Sequence, residues 1–184
     1  HVVIKLAPNE KGKGVTIENK TVGGSIPKDF IPAVIKGLNE AALNGVVGGY
    51  PVIDIHVEIV DGSYHDVDSN EMAFKIAASM AIQDACKMAR PVILEPMMQV
   101  EVVTPDKFMG DVTGSLSSKR GLIQGMEARG MNQALKAVVP LSEMFGYMTN
   151  LRSMTEGRAS FTMEFLRYDI VPANVATTII EARK

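Results

Sequence analysis

Apolar positions in this chain follow two rhythms, one of period two and one of helical spacing, and the two alternate along it. Ile53, Ile55, Val57 and Ile59 alternate with Asp54, His56 and Glu58, the pattern of a strand with one buried face. Val2 to Leu6 and Val15 to Val22 are two further strand candidates. Between them, Pro8-Asn9-Glu10-Lys11-Gly12-Lys13-Gly14 is rich in turn formers, and Lys11-Gly12-Lys13-Gly14 within it predicts a solvated hairpin turn. Phe30, Ile31, Val34, Leu38, Ala41 and Ala42 share one face of a helix expected over about 28–43, which Asn44-Gly45 stops. Phe74, Ala77, Ala78, Ala81, Ile82, Ala85 and Met88 make the core face of a second helix, with Asp68 as its cap and Glu71 completing a capping box. The first half thus reads strand, strand, helix, strand, helix.

A different order follows Arg90-Pro91, which we take as the boundary between two domains. Met97 to Val103 is a strand, and Thr104-Pro105 predicts an N-cap with proline at the first helical position. Phe108, Val112 and Leu116 carry that helix inward. A strand over 122–128 turns at Gly130-Met131-Asn132 into another over 134–139. Ser142 is read as the cap of a helix reaching Leu151, and Ala159, Phe161, Met163 and Phe165 alternate in a last strand. Strand–helix–strand–strand–helix–strand is the split βαβ, ferredoxin-like order. Pro172 then opens a final helix whose apolar face holds Val175, Ile179 and Ile180. The fold class is α+β, two two-layer domains in series.

Composition narrows the functions open to such a chain. At 184 residues and 46% hydrophobic, it buries enough surface to offset the entropy of ordering, which excludes disorder. Lys and Arg number 19 against 21 Asp and Glu, spread evenly over both halves. A freestanding, nonspecific nucleic-acid binder needs clustered cations instead. Cys86 is the sole cysteine, so no intrachain disulfide forms and a reducing, cytoplasmic setting is expected. No apolar run is long enough to span a membrane, and no secretory signal is visible. The chain opens on His1, directly before a strand, and we expect it to be part of something longer.

Motif by motif, catalytic chemistry finds little support. The Gly-x-x-x-x-Gly-Lys-Ser/Thr phosphate loop is absent. Asp66, Asp68 and Asn70 begin like a calcium loop, but Glu71 stands where that loop needs glycine and Ala77 where it needs a bidentate Glu. Ser63, His65 and Asp66 have the residue types of a hydrolase triad, yet lie on one loop without a nucleophile elbow. No catalytic, cofactor or metal residue is assigned. His56, on the polar side of its strand, reads as solvent-facing, and Cys86 as a small buried hydrophobe. His65 remains, held between Gly62 and a capped helix. Gly23-Gly24-Ser25-Ile26-Pro27 also joins a strand to a helix. If the two strands run the same way, both loops emerge at one end and make a tip suited to recognition.

At these residues the chain resembles a known family. Pro8 to Gly14, Val22-Gly23-Gly24, Asp61 to Ser69, Glu71 to Lys75, Val100 to Pro105, Gly125-Met126-Glu127 and Val139 to Tyr147 together are similar to the C-terminal part of bacterial translation elongation factor G. The resemblance spans nearly the whole chain. It implies a domain IV over 1–90, of the ribosomal protein S5 domain 2-like fold, with the helix 172–184 packing on it. It implies a ferredoxin-like domain V over 91–171. GTP and Mg would belong to an N-terminal domain outside this chain, which is itself no enzyme.

In that family domain IV reaches the ribosomal decoding site during translocation. The tip residues implied are Gly23, Gly24, Ser25, Ile26 and Pro27 with Ser63, Tyr64, His65 and Asp66, His65 standing beside the tRNA–mRNA duplex. Expected partners are the ribosome and the tRNA–mRNA complex, and the protein is expected to be monomeric. Asp61, Asp66, Asp68 and Glu71 surround His65 and repel phosphate, so such a tip works through shape, stacking and hydrogen bonds. Ser115-Leu116-Ser117-Ser118-Lys119-Arg120 departs from the family pattern and leaves Lys119 and Arg120 without an assigned RNA contact. A ribosomal-protection factor, a ribosome-recycling paralogue and a stand-alone α+β binding module are the competing readings.

Overall fold

β-Branched residues at every second position of β3 (Ile55–Gly62) drive Val57 and Ile59 into the core of the first unit. β3 is the middle strand of three, between β1 (Val2–Pro8) and β2 (Val15–Asn19). β1 pairs with it antiparallel and β2 parallel. The helices α1 (Ile31–Ala42) and α2 (Glu71–Met88) supply Val34, Leu38, Phe74, Ala78 and Ile82 to the same core. Gly37 sits inside α1, where it costs helix stability. A Cβ there would overlap the Lys75 carbonyl oxygen, so the glycine permits the close approach of the two helices. The computed structural model describes all 184 residues, and this first unit comprises His1–Val92 and Pro172–Lys184. Within it α5 (Ala173–Glu181) is followed by Arg183, whose guanidinium lies 3.9 Å from the centre of the Tyr50 ring.

Four local expectations are corrected here. Pro8 to Gly14 is no hairpin: β3 lies between β1 and β2, so the chain crosses the end of the central strand. The Asp54 carboxylate holds that crossing by accepting from the backbone N–H of Gly12 (3.1 Å) and Gly14 (3.0 Å). Asp54 itself takes a left-handed φ of 57°, which breaks the strand pattern and excludes Ile53 from β3. The cap of α2 is Asn70, whose Oδ1 accepts from the Ala73 N–H at 2.8 Å, rather than Asp68 with Glu71. Met88, expected in the core, is 83% exposed, and Cys86, two positions earlier on the helix, takes the buried place.

The second unit, Ile93–Val171, holds β4 (Leu94–Pro105), α3 (Met109–Ser118), β5 (Leu122–Arg129), β6 (Asn132–Pro140), α4 (Tyr147–Met154) and β7 (Ser160–Ile170). Its strand order is β5-β6-β4-β7, antiparallel throughout, which is the ferredoxin-like arrangement. Val100 and Val102, Leu135, Ala137 and Val139, Val112 and Leu116, and Tyr147 and Leu151 fill the space between sheet and helices.

Both predicted caps in this unit fail for one reason. A 3-10 turn precedes each helix, so Thr104 stays in β4 and Ser142 lies inside the turn Leu141–Glu143. Gly146, at φ 76°, makes the bend into α4. Met163 and Phe165 alternate as expected but stay partly exposed, because β7 is an edge strand.

A candidate recognition tip

Parallel pairing of β2 and β3 places the loops that follow them at the same end of the first unit. The first loop leaves β2 through an Asx turn, in which Asn19 Oδ1 accepts from both the N–H and the hydroxyl of Thr21. Gly23 and Gly24, at φ 67° and 70°, reverse the chain with nothing packed against them. Ile26 is 2% exposed, and its burial is worth about 1.5–3 kcal/mol to the loop's anchorage. Of the expected tip residues it is the one whose side chain belongs to the core cluster. Gly62 explains the anchor, because a Cβ there would overlap the Ile26 side chain and the His1 carbonyl oxygen. The Ser25 hydroxyl is buried beside it without a hydrogen-bond partner.

The second loop is tied down along its backbone. The Ser63 N–H donates to the His1 carbonyl at 3.1 Å. The Tyr64 ring stacks on Phe30 with centroids 5.8 Å apart, and Phe30 stacks on Phe74 at 4.9 Å, so a ladder of three rings runs from the tip to the core. The His65 carbonyl accepts from the N–H groups of Asp68 and Ser69, while the His65 N–H donates to Ser69 Oγ at 2.9 Å. These bonds fix the turn through the backbone and leave the His65 imidazole exposed. Asp66, Val67 and Asp68 are exposed around it.

The assembled surface offers one imidazole, a phenol 40% exposed and two carboxylates on a backbone with little freedom. Stacking and hydrogen bonding are within its reach. No hydrogen bond joins the side chains of Ser63, His65 and Asp66, and the side-chain bond at this turn is that of Ser69 Oγ to the His65 N–H. The aromatic ladder and the Asn70 cap are features that sequence reasoning misses. In sequence Phe30 shows only as a helix-face residue, and Asn70 stands two positions past the more conspicuous Asp68.

Arg120 lies at the opposite extreme of availability. It donates to both Glu95 oxygens, at 2.7 and 2.9 Å, and its Nε is 3.5 Å from Glu143. Its positive charge is committed within the second unit.

Two family models match the chain, one on either side of residue 91. Elongation factor G, domain IV, matches residues 1–90, and Elongation factor G C-terminus matches residues 92–179. A solved crystal structure from Thermus thermophilus superposes with a TM-score of 0.87 at 38% identity over 99% of this chain. The chain spans 27% of that protein's length. No helix is long and apolar enough to cross a membrane. Matched over residues 1–90 and 92–179, the chain belongs to the elongation factor G family of translation factors, carrying its domain IV and its C-terminal domain.

Proposed function

We propose that this chain is the ribosome-engaging C-terminal part of a translational GTPase that moves tRNA and mRNA through the ribosome. GTP and Mg are bound elsewhere in the whole protein, which works as a cytoplasmic monomer. The observation that carries the reading is the tip itself: two loops brought to one end by parallel strands, with His65 displayed on a turn that its side chain does not help to hold. Its role is to enter the decoding site and contact the tRNA–mRNA complex by shape and hydrogen bonding. The acidic neighbours Asp61, Asp66, Asp68 and Glu71 make bulk attraction to phosphate a poor source of affinity.

The test is single-turnover translocation by the whole GTPase carrying His65→Ala. Movement of tRNA slows at least tenfold, while ribosome-stimulated GTP hydrolysis and the melting temperature stay as in the parent. Normal translocation by the folded variant rejects the tip assignment.

A further inference from the structure

The outer face of the β1-β3-β2 sheet, away from the helices, carries a second constellation. Thr16 and Glu18 of β2 pair in register with His56 and Glu58 of β3. Alternation turns all four away from the core residues Ile17, Val57 and Ile59. His56 Nδ1 lies 2.7 Å from Thr16 Oγ1, which also accepts from Asn9 Nδ2 at 2.9 Å. That contact turns Nε2 towards the two carboxylates. It stands 3.5 Å from Glu18 Oε2 and 3.8 Å from Glu58 Oε1.

These separations exceed those of an imidazole–carboxylate hydrogen bond. They approach the edge of a tetrahedron around a metal, where bonds of about 2.0–2.1 Å put neighbouring ligand atoms roughly 3.3 Å apart. One ligand atom from each of Glu18, His56 and Glu58 lies within 4.8 Å of the others. The position between the carboxylates already attracts a cation: Lys20 Nζ is 2.8 Å from Glu58 Oε1 and 3.7 Å from Glu18 Oε2. Lys20 follows β2 on a flexible, half-exposed side chain, and Lys5 of β1 pairs with Glu58 from the other side.

We propose that Glu18, His56 and Glu58 form a binding site for a divalent transition cation of the zinc type, with Lys20 as the resident cation that the metal displaces. One imidazole nitrogen with two carboxylates suits zinc, whereas calcium and magnesium favour all-oxygen sets. Three protein ligands leave a fourth position for water. Thr16 is a positioning residue: it accepts the Nδ1 proton, fixes the tautomer and keeps Nε2 free for the metal. The site is independent of the tip and does not rest on the translocation reading.

Calorimetric titration of the chain with zinc chloride tests the assignment, with cobalt(II) absorption as a second readout of coordination geometry. One zinc per chain is expected, with visible cobalt bands of tetrahedral intensity. His56→Gln weakens zinc binding at least tenfold, and Thr16→Val weakens it less. Lys20→Met, which removes the competing ammonium, tightens it several-fold and does not depend on any ligand variant folding. His1→Ala controls for chelation by the N-terminal imidazole and leaves binding unchanged. The assignment is overturned if parent and Lys20→Met both fail to bind, which leaves an ion-pair cluster only. It is equally overturned if folded His56→Gln binds as the parent does, or if His1→Ala abolishes binding.

Discussion

His65 and Arg120 both stand in short connections beside helices, one in each unit, and they have opposite fates. His65 lies before α2 on a turn closed by backbone bonds and by Ser69, so its ring is free. Arg120 lies after α3 in a left-handed conformation, φ 57°, and its guanidinium closes on Glu95 and Glu143. Sequence shows two polar residues in polar loops. Structure separates a side chain left over by folding from one consumed by it, and only the first is available to a partner. Tyrosines repeat the contrast: Tyr64 keeps its phenol at the surface, whereas Tyr147 is wholly buried with its hydroxyl unpartnered.

The largest expected effect tests the consumed side of this contrast. Arg120→Met leaves Glu95, 8% exposed, without its bidentate partner. A cost of about 3 kcal/mol follows, the low end for breaking a buried pair because Arg120 keeps some solvent contact. Denaturant melts followed by probes in each unit check it: the loss belongs to the second unit's transition. A change below about 1 kcal/mol would return Arg120 to the pool of available cations.

Next comes Tyr147, whose phenol burial pushes up to about 12 from 10.0. The folded state therefore holds its proton where the unfolded chain releases it. The associated stability is complete below pH 10 and is lost as pH climbs from 10 through 12. A tenfold change in proton affinity is worth about 1.4 kcal/mol, so the loss is on the order of 2–3 kcal/mol. Tyr147→Phe removes this component of the alkaline slope. It also removes a buried hydroxyl with no partner, so at neutral pH the variant is at least as stable as the parent. A parent and variant with identical slopes would show that the hydroxyl reaches water.

Legibility in the sequence follows the same division. Period-two runs mark β3, and helical spacing marks α1 and α2, because burial of one face is written residue by residue. The ferredoxin-like order of the second unit is legible from element order alone. Caps are not: Asp68, Thr104 and Ser142 all have cap chemistry, but 3-10 turns and loop geometry decide which residue meets the free N–H groups. The meeting of the two tip loops is legible only as a condition on strand direction, which β2 and β3 satisfy. The burial of Ile26 and the cluster around His56 depend on cross-strand register and loop packing. No local pattern encodes either.

The smallest expected effect is the most discriminating, because it pairs two neighbours on one loop. Asn70→Ala removes the oxygen that accepts the Ala73 N–H at 2.8 Å, and the loss of a helix cap costs about 1 kcal/mol. His65→Ala removes a ring that packs on nothing the turn requires, since the turn's bonds run through the His65 backbone and Ser69. Its cost lies within about 0.5 kcal/mol of zero, as for an ordinary surface substitution. The two positions are close neighbours in the chain, yet one side chain serves folding and the other is left over by it. Thermal melts of both variants decide the matter. If His65→Ala proves as costly as Asn70→Ala, the imidazole is part of the turn's structure, and the distinction between spare and consumed side chains fails at the residue where it matters most.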